Sequence, residues 1–198
     1  MKPINLEKLL LASHSPRRKE LLEQAGIDLQ VVPSDIDEEN VSIKNPEEYV
    51  IELSYLKAEK VSRAHPDSWI LGADTIVVIE DQILGKPESE DHATEMLRLL
   101  SNREHRVFTG FCIMNKQKET IIKNAVETKV YFKTLSDQEI KWYVKTKEPF
   151  DKAGAYGIQG VGAFLVRKIF GSYSNVVGLP VCEVIEILIK LKIIEMRV

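Results

Sequence analysis

The stretch Leu9–Ile27, LLLASHSPRRKELLEQAGI, decides the fold class. Its apolar start, read with the preceding lysine as KLLLAS over residues 8–13, reads as a buried strand. Ser15 and Pro16 then open a helix, with serine at the N-cap and proline at the first helical position, where its missing N–H is not needed. Gly26 stops it. A strand that runs straight into a helix begins the alternation of an α/β architecture. The first turn of this helix carries Arg17, Arg18 and Lys19. The helix dipole favours acidic residues there and opposes basic ones. Two readings follow. Either the free N–H groups, the hydroxyls of Ser13 and Ser15 and the guanidinium groups form an anion site, or the cations are solvated and pair with Glu20 or Glu23 along the helix.

The alternation continues along the chain. Residues 29–38, LQVVPSDIDE, read as a second strand ending in an acidic loop. Residues 45–66 have helical spacing with Asn45 as N-cap. Residues 68–87, SWILGADTIVVIEDQILGKP, read as two strands around a turn near Glu80–Gln82. Residues 88–104 read as a helix with an acidic first turn, and 105–135 as two or three strands of a meander. Ser136 and Glu139 form a capping box. After a glycine-rich segment, an apolar helix is expected over 181–196. The chain shows no repeat, linker or low-complexity tract, so residues 1–198 are expected to form a single α/β domain.

The net charge of −3 excludes a broadly basic nucleic-acid surface but leaves room for a small basic pocket. No signal peptide or membrane-length apolar run is present, which points to a cytoplasmic protein without membrane contact. Cys112 and Cys182 lack metal-ligand spacing and are expected to be reduced and buried. The four histidines form no zinc motif. Neither a Walker loop nor a Gly-x-Ser-x-Gly elbow occurs.

Several residues stand out. Asp74 lies inside the apolar run WILGADTIVVI, where a carboxylate needs a metal ion or a cationic group as partner. Lys57 and Lys86 read by themselves as solvated charges. Glu38 belongs to an acidic cluster that is either a solvated loop or a site for a hard cation. The segment FDKAGAYGIQGVGAF allows close backbone approach to a ligand, and Gln159 offers both donor and acceptor, as base recognition requires.

The ordered motifs LASHSPRRKELL, SDIDE, LKAEKV, GADTIVV…LGKP, HRVFTG and EPFDKAGAYGIQG resemble the Maf family of nucleoside triphosphate pyrophosphatases over nearly the whole chain. The last segment is similar to the branch acting on dTTP and UTP. The resemblance implies a mixed, elongated, curved sheet with flanking helices, in two lobes around a cleft as in Maf and ITPase-like folds, and a homodimer. It implies that Ser13, Arg17, Arg18, Lys57 and Lys86 hold the triphosphate and that Arg17, Thr75 and Gln159 select the base. Asp74 would be the catalytic carboxylate, and Glu38 and Asp74 would hold a divalent cation, Mg²⁺ or Mn²⁺. A metal-bound carboxylate is a weaker base, so the two roles of Asp74 compete. The alternatives are a pyrophosphatase for modified nucleotides and a nucleotide-binding regulator of septum formation.

Overall fold

The computed structural model describes residues 3–36, 41 and 45–196. It divides into two compact units. The first comprises residues 1–74, 109–126 and 178–198, the second residues 75–108 and 127–177. In chain order the regular elements begin with β1 (Ile4–Asn5), β2 (Leu9–Ala12), α1 (Pro16–Gln24), β3 (Gln30–Val31) and α2 (Pro46–Ala64). There follow β4 (Trp69–Ile79), β5 (Gln82–Leu84), α3 (Glu90–Leu100), β6 (Glu104–Asn115) and β7 (Thr120–Phe132). The chain closes with α4 (Asp137–Lys145), three short 3₁₀ segments, β8 (Val166–Phe170), α5 (Tyr173–Val177), α6 (Val181–Lys190) and β9 (Ile194–Glu195). This is a mixed α/β fold, as the alternation predicts.

In the first unit β2 lies between β3 and β4 and is parallel to both, with Leu10 opposite Gln30 and Ala12 opposite Gly72. The chain therefore steps from β2 to one neighbour through α1 and returns past β2 to the other through α2. Such a reversal of strand order opens a crevice at the carboxyl ends of the strands, the usual ligand position in parallel α/β sheets. Leu10, Ala12, Ala58, Val61, Ile70 and Cys112 form a buried cluster of this unit. The helix starts are locally encoded. Asn45 accepts hydrogen bonds from the N–H groups of Glu47 (2.9 Å) and Glu48 (3.2 Å). At α1, Ser15 occupies the N-cap position without a side-chain cap bond.

In the second unit β5 pairs antiparallel with the end of β4, around a turn in which Glu80 and Asp81 have positive φ. Strand β8 pairs antiparallel with β7. The core here includes Val77, Leu97, Val107, Phe132, Ile140 and Leu165. Helix α4 opens with the expected capping box: Ser136 Oγ accepts from Glu139 N–H and Glu139 Oε2 accepts from Ser136 N–H.

Three local expectations are corrected. The second strand is only Gln30–Val31, since Pro33 lacks the N–H that a ladder needs. The final helix ends at Lys190, because Lys192 takes a left-handed backbone (φ 56°) and the chain turns into β9, which pairs antiparallel with β1. Cys112 is buried, and burial pushes its thiol up to about 12, whereas Cys182 on α6 is exposed. No helix among the described residues is long and apolar enough to cross a membrane.

Candidate active site

The register of β2 on β4 places Ser13, just past Ala12, at the same end of the parallel strands as Asp74, two residues past Gly72. Gly72 and Asp74 share one face of β4, by the two-residue period of a strand, and α2 lies against that face. A methyl group on Gly72 would overlap the Ser54 carbonyl oxygen and sit 2.8 Å from Ala58 N. The helix backbone thus rides directly on the strand. At that distance Lys57, between those contacts, reaches Asp74: Nζ lies 2.5 Å from Oδ1, and each side chain is only 11% exposed. Lys57 is thus a cationic partner of Asp74; its local sequence reads as a solvated charge, and the family resemblance set it on the triphosphate.

The Ser-Pro-Arg-Arg turn separates its three cations. Lys19 pairs with Glu23 one turn along, as a solvated face would. Arg17 is half-buried. Arg18 is buried and turned inward, donating from Nε to the Gly178 carbonyl (2.8 Å) and from Nη1 to Ser13 Oγ (3.0 Å). Ser13 Oγ also accepts the Ser15 N–H (3.1 Å). Both of its lone pairs are then occupied, and its hydroxyl proton is left to donate to an anion. The start of the acidic segment lies beside this turn: Asp35 takes His14 Nε2 at 2.8 Å on its carboxylate and Lys60 Nζ on its carbonyl. Glu38 lies outside the described residues. Among the described residues no group of three or more His, Cys, Asp or Glu side chains gathers to hold a metal.

The other candidates belong to the second unit. Thr75 is half-buried on β4 and Lys86 is exposed in the loop after β5. That loop is tied to the glycine-rich segment by Gly154 N–H donating to the Gly85 carbonyl (3.0 Å). Gln159 is half-buried at the start of the 3₁₀ segment Gly160–Leu165. The structure thus joins Ser13 with Arg18 and Lys57 with Asp74 in the first unit. Sequence reasoning missed Gly178, 160 residues from Arg18 and a partner only through its carbonyl. It also missed Glu148 and Tyr143, which bind the backbone around Gln159. The only sequence hint of Glu148 was its place at the head of EPFDKAGAYGIQG.

Residues 8–191 match the family model described as Maf-like protein. A dTTP/UTP pyrophosphatase of Geotalea uraniireducens is 51% identical over 94% of this chain and 96% of its own. One from Syntrophus aciditrophicus is 50% identical over 92% and 89%. A third, from Desulfotalea psychrophila, is 48% identical over 94% and 96%. With half of its residues shared across nearly its full length, and with the family model spanning all the motifs from the Ser-Pro-Arg-Arg turn to α6, the chain belongs to the Maf-like protein family.

Proposed function

We propose that this chain hydrolyses dTTP and UTP between the α- and β-phosphates, releasing the nucleoside monophosphate and pyrophosphate. The carrying observation is the buried Lys57–Asp74 pair at the carboxyl ends of parallel strands, beside a serine whose lone pairs are both taken. The names of the relatives support the substrate. In this reading the whole chain, residues 1–198, works as one catalytic domain, in the cytoplasm and as a homodimer.

The residues divide the work. Ser13 donates its O–H to a phosphate oxygen, and Arg18 holds Ser13 in place. Arg17 and Lys86 bring positive charge to the triphosphate, which stabilises the departing pyrophosphate. Lys57 fixes the Asp74 carboxylate, which orients the attacking water and takes its proton. Thr75 and Gln159 hydrogen-bond the pyrimidine edge, with Arg17 contributing to the choice. A site built on such bonds rejects analogues that leave its polar groups unpaired.

Asp74 and Glu38 are the residues that would hold a divalent cation, Mg²⁺ or Mn²⁺. Carboxylate oxygens suit magnesium, which is usually held by one or two of them while substrate phosphates and water complete its shell. When bound, the cation neutralises charge on the phosphate oxygens. The test is pyrophosphate release across dTTP, UTP, CTP, GTP, ITP and modified uridine and cytidine triphosphates, with and without divalent metal. The expected result is fastest turnover of dTTP and UTP, and a loss of about 100-fold or more in Asp74→Asn. Faster hydrolysis of GTP or ITP, or near-normal turnover of Asp74→Asn at saturating metal, would overturn the proposal.

A further inference from the structure

The loop that carries Gln159 is held in shape from outside itself. Glu148 opens the 3₁₀ segment Glu148–Asp151, and its carboxylate points into this loop. Oε1 accepts the N–H of Gly162 (2.9 Å) and the hydroxyl proton of Tyr143 (2.9 Å), while Oε2 accepts the N–H of Val161 (3.0 Å). The oxygen of Tyr143 in turn accepts the N–H of Gly157 (3.1 Å). Backbone amides on both sides of Gln159 therefore end on two side chains. Burial, more than any neighbour, raises the pKa of the Tyr143 phenol, so it stays protonated and keeps donating to Glu148.

Gln159 stands at the N-cap position of the segment Gly160–Leu165, yet its side chain makes no cap bond. Orphan N–H groups at a helix start are normally taken by the N-cap side chain itself. Here Glu148 takes them, with a negative charge at the end where the dipole favours one. The fit leaves no slack. Gly160 has φ 64°, and a methyl group there would lie 2.9 Å from Glu148 Oε2. One on Gly162 would lie 2.5 Å from the Tyr143 hydroxyl oxygen.

We propose that Glu148, acting with Tyr143, is the positioning residue that sets nucleotide discrimination. By capping the 3₁₀ segment in place of Gln159, it releases the Gln159 carboxamide from its own backbone and holds it ready for a base. This rests on the reading that Gln159 meets the pyrimidine. Glu148→Gln keeps the shape of the side chain but turns one acceptor oxygen into a donor facing a backbone N–H.

The test compares the parent enzyme with Glu148→Gln, Tyr143→Phe and Gln159→Ala. It measures steady-state kinetics on UTP, dTTP and GTP, together with amide hydrogen exchange over residues 157–162. In Glu148→Gln the KM for UTP and dTTP is expected to rise about tenfold, the loss of one charge-assisted bond, with kcat changed far less. Exchange should accelerate in this loop and not elsewhere. A purely structural role would instead lower the melting temperature and speed exchange broadly, and that outcome overturns the proposal. Faster loop exchange with an unchanged UTP-over-GTP preference, while Gln159→Ala loses that preference, refutes the role of Glu148 and leaves the reading of Gln159 standing. An unchanged preference in Gln159→Ala removes that reading and the proposal with it. Should Glu148→Gln fail to fold, Tyr143→Phe decides: it removes the acceptor for Gly157 N–H, and an unaltered preference again refutes the proposal.

Discussion

Replacing Gly72 with alanine should disturb the Lys57–Asp74 pair without touching either residue. The added carbon would overlap the carbonyl oxygen of Ser54 and stand 2.8 Å from the nitrogen and 3.0 Å from the Cβ of Ala58. Two of these three atoms are helix backbone, so no side-chain rotation relieves the contact. Helix α2 must move out by on the order of 1 Å, and inserting one carbon into a packed interface of this kind costs about 1–3 kcal/mol. For a chain of this size that is roughly 2–12 °C in melting temperature. The same displacement takes Lys57 Nζ from 2.5 Å beyond good hydrogen-bond distance of Asp74. Activity on dTTP should therefore fall by more than the unfolded fraction explains. Gly110→Ala presses on the same helix, with its added carbon overlapping the Val50 carbonyl, and should destabilise similarly. Gly85→Ala is the control, since nothing lies within 4 Å of its added carbon, and it should stay within about 0.5 kcal/mol of the parent. Urea denaturation and pyrophosphate release on the three variants check this. If Gly72→Ala proves as stable as Gly85→Ala, the helix does not bear on the strand at that point. If it loses stability but retains full turnover, the spacing of α2 does not govern the pair.

Two further outcomes concern buried charge. Lys57→Met removes the ammonium bonded to the Asp74 carboxylate in a nearly closed site and should cost about 3–5 kcal/mol; adding Asp74→Asn should recover part of that, measured as a double-mutant cycle in urea. His105 is buried, its Nε2 2.7 Å from Tyr156 Oη, and burial lowers its pKa from 6.5 to about 3. The folded state therefore stays neutral where the unfolded state takes up a proton, so this group's contribution is complete above pH 6.5 and is lost as pH falls from 6.5 towards 3. At pH 5 the loss is about 2 kcal/mol, and His105→Gln should remove that part of the stability difference between pH 7 and pH 5.

What the sequence determined by itself was local or demanded by a single residue. The starts of α2 and α4 were legible because Asn45, Ser136 and Glu139 satisfy N–H groups within three residues of themselves. Asp74 announced that it needed a partner, because a carboxylate inside an apolar strand is costly alone. The order of the motifs fixed the family. Which groups met was decided by tertiary structure, since strand register and helix spacing set those distances. Lys57 reaches Asp74 only because Gly72 lets α2 approach β4. Arg18 turns from the helix start towards a carbonyl 160 residues away, and Glu148 caps a segment that begins twelve residues after it. The three cations at one helix start part ways in the folded chain. Lys19 pairs with Glu23 on the solvated face, Arg18 bonds Ser13 and the Gly178 carbonyl, and Arg17 is proposed to meet both phosphate and base.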